Sequence, residues 1–447
     1  MVKFRKDFYA DVRVETKFTT SVRYRDGALE ESRQSTVKKA FIRVFDGEMW
    51  YYASTYKLGE LQAELDKLYA NATPNKKIEE NPVVRRFESN TASIEKFKNC
   101  CLKDVPLEAK QKILTDKFSV LQGSKYVKMF VAIYSDRYSE YEFYSSKGAN
   151  LKFDYQLCGA GVSIALAEGS ENFNGSFLKS DDSFEKVCAL FSENNLKDYV
   201  KESENYLLNA KPVQAGEYPV ILSPMAAGVF AHESFGHKSE ADFMLGDETM
   251  KKEWAIGKKV GSDILSIYDS GLEEGSGCVP FDDEGTKASK TYLIKNGVLT
   301  GRLHSATTAA YLDEAVTGNA RAVDCDFEPI VRMTGTVIEA GTSKKEDLFK
   351  RVKHGYYIKD YKHGSGMSTF TIAPNLAYEI VDGKIVNPVK ISVITGNVFE
   401  TLNLIDGLSD KAEIISSAFG GCGKMEQFPL NVSFGGPYVS VSKMNVQ

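Results

Sequence analysis

Turn dipeptides that accept positive φ set the frame of this chain. Asp26-Gly27 follows the run DVRVETKFTTSVRY, and Asp46-Gly47 separates AFIRVF from MWYYAS. Asn296-Gly297 lies inside YLIKNGVLTGRL, and Asp382-Gly383 inside AYEIVDGKIVNPVKISVITG. Asp-Gly and Asn-Gly between apolar, β-branched runs are strong short-range hairpin signals, because the tight turn needs positive φ at its centre. Strands joined in this way run antiparallel. Residues 11–15 (DVRVE) and 18–24 (FTTSVRY) read as strands of one such unit, and residues 40–45 with 49–54 as a second.

Between the hairpins the period changes. Residues 58–70 (LGELQAELDKLYA) place apolar side chains at three and four spacing and predict an amphipathic helix. Residues 72–90 are polar, contain Pro74 and Pro82, and read as a loop. A helix over 107–121, a strand-rich run over 126–166 and a helical stretch over 183–209 follow. A new strand opens at Tyr218, so a domain boundary falls near Lys211-Pro212. The second half begins with that strand and a candidate helix over 225–237. The expected class is α+β: two domains, 1–211 and 212–447, with mainly antiparallel sheets, flanking helices and one main sheet in each half.

Composition excludes several kinds of function. The formal net charge is −5, and Lys and Arg are scattered rather than clustered, which is no electrostatic footprint for nucleic acid. The charged opening MVKFRKDFYADVRVE lacks the apolar core of a secretory signal, and no apolar run approaches a membrane span. The seven cysteines are odd in number and irregularly spaced, which argues against a disulfide framework. These features predict a cytoplasmic protein with reduced thiols.

Chemistry concentrates in one short segment. The chain has five histidines, and two of them bracket His232-Glu233-Ser234-Phe235-Gly236-His237. The familiar zinc helix places its ligands at i and i+4. Here the spacing is five, which on a regular helix turns the two imidazoles about 140° apart. A shared metal therefore requires a π-type turn or a helix that ends between the ligands. Gly236 stands where unusual backbone dihedrals would be needed.

Two histidines leave a catalytic zinc site incomplete, since such sites use about three protein ligands and an open position. Cys422, in FGGCGK, is the favoured third ligand, because flanking glycines free its backbone to approach an ion and leave it little to pack against. His304, His354 and His363 stay open as alternatives. Glu233 would serve as general base toward the metal's water and return the proton to a leaving amine.

These blocks resemble the TldD/PmbA family, once called modulators of DNA gyrase and regarded as metallopeptidases. The resemblance runs nearly end to end: RDGALEE and WYYASTYKLGEL in the first half, then GVFAHESFGH, TGNARA, PVKISVITGN and GCGK. It implies an active TldD-type subunit, because His232, Glu233 and His237 are all present. It implies Cys422 as the third ligand of one Zn2+ per chain. It also implies a dimer enclosing a cavity, formed with itself or with a degenerate TldE-type partner, that admits small or unfolded peptides. The stretch 425–434 departs from the family's glycine-rich form. The expected function is a zinc-dependent peptidase. A non-catalytic peptide-binding scaffold of the gyrase-modulator kind and a small-molecule amidase are the readings set against it.

Overall fold

The computed structural model describes residues 2–447. Its first half is built on a seven-stranded sheet. The strands are β1 (Tyr9–Arg25), β2 (Ala28–Phe45), β3 (Trp50–Thr55), β4 (Thr91–Ile94), β5 (Val127–Ser145), β6 (Asn150–Glu168) and β7 (Glu171–Asp181). The order is β3-β2-β1-β5-β6, with β4 and β7 both lying along the outer edge of β6. Only the β4–β6 pair is parallel.

The hairpins are longer than their sequence signals. The two strands expected before Asp26 are one continuous strand of 17 residues, paired with 18 residues of β2. Asp26 and Gly27 close the hairpin at φ +50° and +88°. The exposed, polar first part of β2 carries no apolar alternation. It is a strand because its backbone pairs with β1 along its whole length. At Asp46-Gly47 the connection is wider than a two-residue turn: the Asp46 carboxylate accepts the amides of Glu48 and Met49.

The two faces of β1 differ in kind. Val12 and Val14 pack with Leu65, Leu68 and Tyr69 of the helix Leu61–Asn71, and Val22 and Tyr24 with Ile113, Leu114 and Leu121 of the following helices. Arg13 faces the other way and bonds Asp283 and the backbone of Asp324 and Phe327 in the second half. The expected loop over 72–90 holds two short helical pieces, Ile78–Glu80 and Pro82–Arg86. Asn81 caps the second, with Pro82 in its first turn. The helical stretch 183–209 is two helices, Phe184–Leu190 and Glu193–Asn209, capped by Ser183 and Ser192.

The second half departs from the expected single sheet. It contains a ten-stranded and a six-stranded sheet, besides two small ribbons. The extra sheet rests on pairings that local periodicity does not reveal. In the six-stranded sheet Gly335–Ile338 pairs in parallel with Ser433–Gly436, and in the ten-stranded sheet His354–Ile358 pairs in parallel with Gly216–Leu222. The Asn296-Gly297 and Asp382-Gly383 turns close hairpins with positive φ at all four residues. The class is α+β with mainly antiparallel sheets. One apolar core lies wholly in the second half, while another joins Val22 and Leu207 of the first half to Ile221, Leu348 and Tyr357 of the second. Among the described residues no helix is long and apolar enough to cross a membrane.

Candidate metal centre

The helix Pro224–Ala231 carries the histidine segment. Ser223 accepts the amide of Ala226, and Pro224 occupies the first turn, where a missing N–H has no consequence. The helix is buried on nearly all sides and is packed by both sheets of the second half. Gly228 makes this possible, because a Cβ there would come 2.7 Å from the Gly435 backbone nitrogen.

The helix then widens. Residues His232–Gly236 form one π turn, closed by the His237 amide donating to the His232 carbonyl. This is a geometry that the five-residue spacing calls for, and it puts the two imidazole centroids 5.1 Å apart. The role expected of Gly236 needs correcting. Its φ of −57° and ψ of −50° are ordinary helical values. Glycine is required there by packing, since a Cβ would overlap the Met333 sulfur.

Cys422 opens a small hairpin, Cys422–Lys424 with Gln427–Leu430. The fully buried Arg332 guanidinium donates to the Cys422 carbonyl at 2.8 Å and holds the hairpin down. The Cys422 Sγ lies 3.5 Å from His237 Nε2. One donor atom from each of His232, His237 and Cys422 lies within 4.8 Å of the others. Contrary to the expectation drawn from its glycine neighbours, Cys422 is 4% exposed and belongs to the main apolar core. The glycines serve the hairpin instead: a Cβ at Gly421 would strike the Leu430 backbone.

The donor set suits zinc. Bonds of about 2.0 Å to nitrogen and 2.3 Å to sulfur, at a tetrahedral angle, separate the two donors by roughly 3.5 Å. That is close to the 3.5 Å found here. The buried Nδ1 of His232 has no hydrogen-bond partner, which is an expensive state for a ring nitrogen unless something else occupies it. Charge is arranged to match. Burial opposes the Cys422 thiolate, but the imidazoles of His232 and His237 outweigh it and hold the thiol down at about 5. Burial likewise opposes the His237 imidazolium, yet Cys422 and Glu240 raise it to about 10. Without a metal the pair is a thiolate facing an imidazolium.

Glu233, partly exposed, follows His232 in the π turn. The strand Tyr361–Gly366 passes beside it: a Cβ at Gly364 would lie 3.2 Å from the Glu233 Cγ. On the far side of His237, Nδ1 lies 3.2 Å from Glu240 Oε2, whose carboxylate is wholly buried and 3.0 Å from the Lys424 ammonium. Glu240 and Lys424 were not among the sequence candidates. A Glu three residues after His237 and the last residue of GCGK were the visible signals.

The alternative ligands lie elsewhere in the hydrogen-bond network. His304 is buried and bonded to Thr308 and Glu314. His354 lies 3.2 Å from Glu379, and His363 stands exposed on Tyr361–Gly366. Among the described residues His232, His237 and Cys422 are the one group of three His, Cys or acidic side chains with donors close enough to share an ion.

Comparison with known proteins now bears on this geometry. The C-terminal domain of the PmbA/TldA metallopeptidases matches residues 215–447, more than half of the chain, and domain 1 of those enzymes matches residues 10–72. The chain belongs to the TldD/PmbA metallopeptidase family. A metalloprotease of Methanocaldococcus jannaschii is 29% identical over 93% of this chain and 92% of its own length. A zinc metalloprotease TldD homolog of Saccharolobus solfataricus is 32% identical over 72% of this chain and 71% of its own. The TldD/PmbA fold is also seen in TldE of Thermococcus kodakarensis, with a TM-score of 0.74 at 17% identity over 98% and 96% of the two chains. A Thermotoga maritima protein described as a putative modulator of a DNA gyrase has a TM-score of 0.77 at 18% identity, again over 98% and 96%.

Proposed function

We propose that this TldD/PmbA protein is a zinc-dependent peptidase that hydrolyses small or unfolded peptides. The observation that carries the reading is the convergence of His232, His237 and Cys422 beside Glu233. His232, His237 and Cys422 would hold one zinc per chain. Zinc held there supplies Lewis acidity toward water and a scissile carbonyl. The chain's own part is proton management. Glu233 takes a proton from the attacking water at its carboxylate as the C–O bond forms. It delivers that proton to the amide nitrogen as the C–N bond breaks. The π turn carries Glu233 directly after His232, which would keep its carboxylate next to the reacting carbon.

The strand Tyr361–Gly366 is the terminal strand of its sheet and runs alongside Glu233. An extended peptide adding to that edge would be held by backbone hydrogen bonds, with little demand on its sequence. On this reading residues 212–447 carry the zinc, and residues 1–211 build a dimer that encloses the cavity. The partner is a second copy or a TldE-type relative, in keeping with the TldE structure that shares the fold. The protein works in the cytoplasm.

The test is Glu233→Gln. Zinc content should stay at one per chain while cleavage of an unstructured peptide falls by about 10²- to 10⁴-fold. Full cleavage by that variant would remove Glu233 from the mechanism. The gyrase-modulator name of the Thermotoga relative favours a second reading, a non-catalytic scaffold, which predicts that His232→Ala leaves the cellular effect intact.

A further inference from the structure

We propose that Lys424 and Glu240 are positioning residues of the metal centre: Lys424 ties the Cys422 hairpin to Glu240, and Glu240 fixes the ring of His237. The three groups form a chain of contacts. Glu240 Oε2 is 3.2 Å from His237 Nδ1 and 3.0 Å from Lys424 Nζ. Lys424 lies two residues beyond Cys422 on the same strand. Its ammonium also bonds the Asp242 carboxylate at 2.7 and 2.8 Å and the Val331 carbonyl at 2.9 Å. An ammonium has three protons to donate, so its partners are complete.

The geometry gives each residue a distinct task. A carboxylate at Nδ1 fixes that side of the ring and leaves Nε2 directed to the Cys422 side, 3.5 Å from Sγ, as the nitrogen available to an ion. Partners of this kind set both the tautomer and the orientation of a metal-ligating imidazole. Glu240 alone would fix only the near end of the site. Cys422 is 185 residues from His237 in sequence and sits on a hairpin of its own. Lys424 joins the two parts, because one side chain of that hairpin reaches the carboxylate that orients the histidine. A buried ion pair adds little to stability when balanced against its desolvation, so rigidity of the site is the better account of why a lysine 6% exposed is kept there.

The inference rests on the zinc reading above, and its test separates the two. Zinc affinity of the full chain is measured by competition with a chromogenic chelator, and the thiolate-to-cobalt charge-transfer band is recorded after cobalt substitution. Lys424→Met, which keeps the volume, should weaken zinc by about 10- to 100-fold and diminish the band. Glu240→Gln, which keeps the shape, should weaken it by roughly tenfold and carries the test if Lys424→Met does not fold. Asp242→Asn, whose carboxylate touches Lys424 but not His237, should change it less than either. Wild-type affinity and an unchanged band in both Lys424→Met and Glu240→Gln would overturn the positioning role while leaving the zinc reading intact. A wild-type chain with no zinc affinity, or one whose affinity survives His232→Ala, would overturn the zinc reading itself and this inference with it.

Discussion

Two buried polar clusters of this molecule follow opposite rules. In the first, at the junction of the halves, Arg43 donates to Asp11 at 2.7 Å and to Glu284 at 3.1 Å, and Glu284 accepts the Ala306 amide. None of these three side chains has a buried nitrogen or oxygen without a partner. In the second, around His232, His237 and Cys422, the buried His232 Nδ1, Ser234 hydroxyl and Glu240 Oε1 lack partners. The first cluster is complete as protein alone, the usual state of buried ions that serve structure. The second is not complete as protein alone, and within it one donor atom from each of His232, His237 and Cys422 lies within 4.8 Å of the others.

The largest effect should come from removing a donor of the second cluster. Cys422→Ala should abolish stoichiometric zinc and peptide cleavage together, as read by metal analysis and a peptidase assay. It should cost little stability, because the lost side chain is small. Retained zinc would return the third position to another residue.

The next effect belongs to the first cluster and should have the reverse signature. Arg43→Met leaves two buried carboxylates without their cation and should destabilise the fold by about 3–5 kcal/mol in denaturant unfolding. Zinc bound per folded chain should not change. A loss of zinc without a loss of stability would show that the clusters are not distinct.

The smallest effect is a pH dependence. Metal-free His237 keeps its proton up to about pH 10, whereas Cys422 has lost its own above about pH 5. Zinc binding at neutral pH therefore displaces a proton from His237 and none from Cys422. Affinity should rise with pH by about tenfold per unit between pH 7 and 9, read by chelator competition. A flat profile would mean that His237 is not displaced by metal.

The difference between the clusters also explains what was legible in the sequence. His232, Glu233 and His237 are neighbours in the chain, so their type and spacing were visible, and the five-residue spacing alone implied a break from regular helix. The π turn follows from hydrogen bonding within six residues. The turn dipeptides were legible for the same reason, since φ is a local property. Cys422 was visible as a candidate, but its burial was not, because that depends on Arg332 and on a hairpin 185 residues from His237. The packing of Gly236 against Met333 and the contact of Glu240 with Lys424 likewise exist only once the sheets of the second half have assembled. The six-stranded sheet escaped the sequence because it joins Gly335–Ile338 to Ser433–Gly436 across about a hundred residues of chain. The arginine cluster gave no signal, since Asp11, Arg43 and Glu284 look like ordinary surface charges until β1 meets the second half.

X-ray absorption at the zinc edge of the purified, full-length chain tests the central claim most directly. Two nitrogen neighbours at about 2.0–2.1 Å and one sulfur at about 2.3 Å per zinc are expected. The sulfur signal should vanish in Cys422→Ala. A shell of nitrogen and oxygen alone in the wild-type protein would contradict the account.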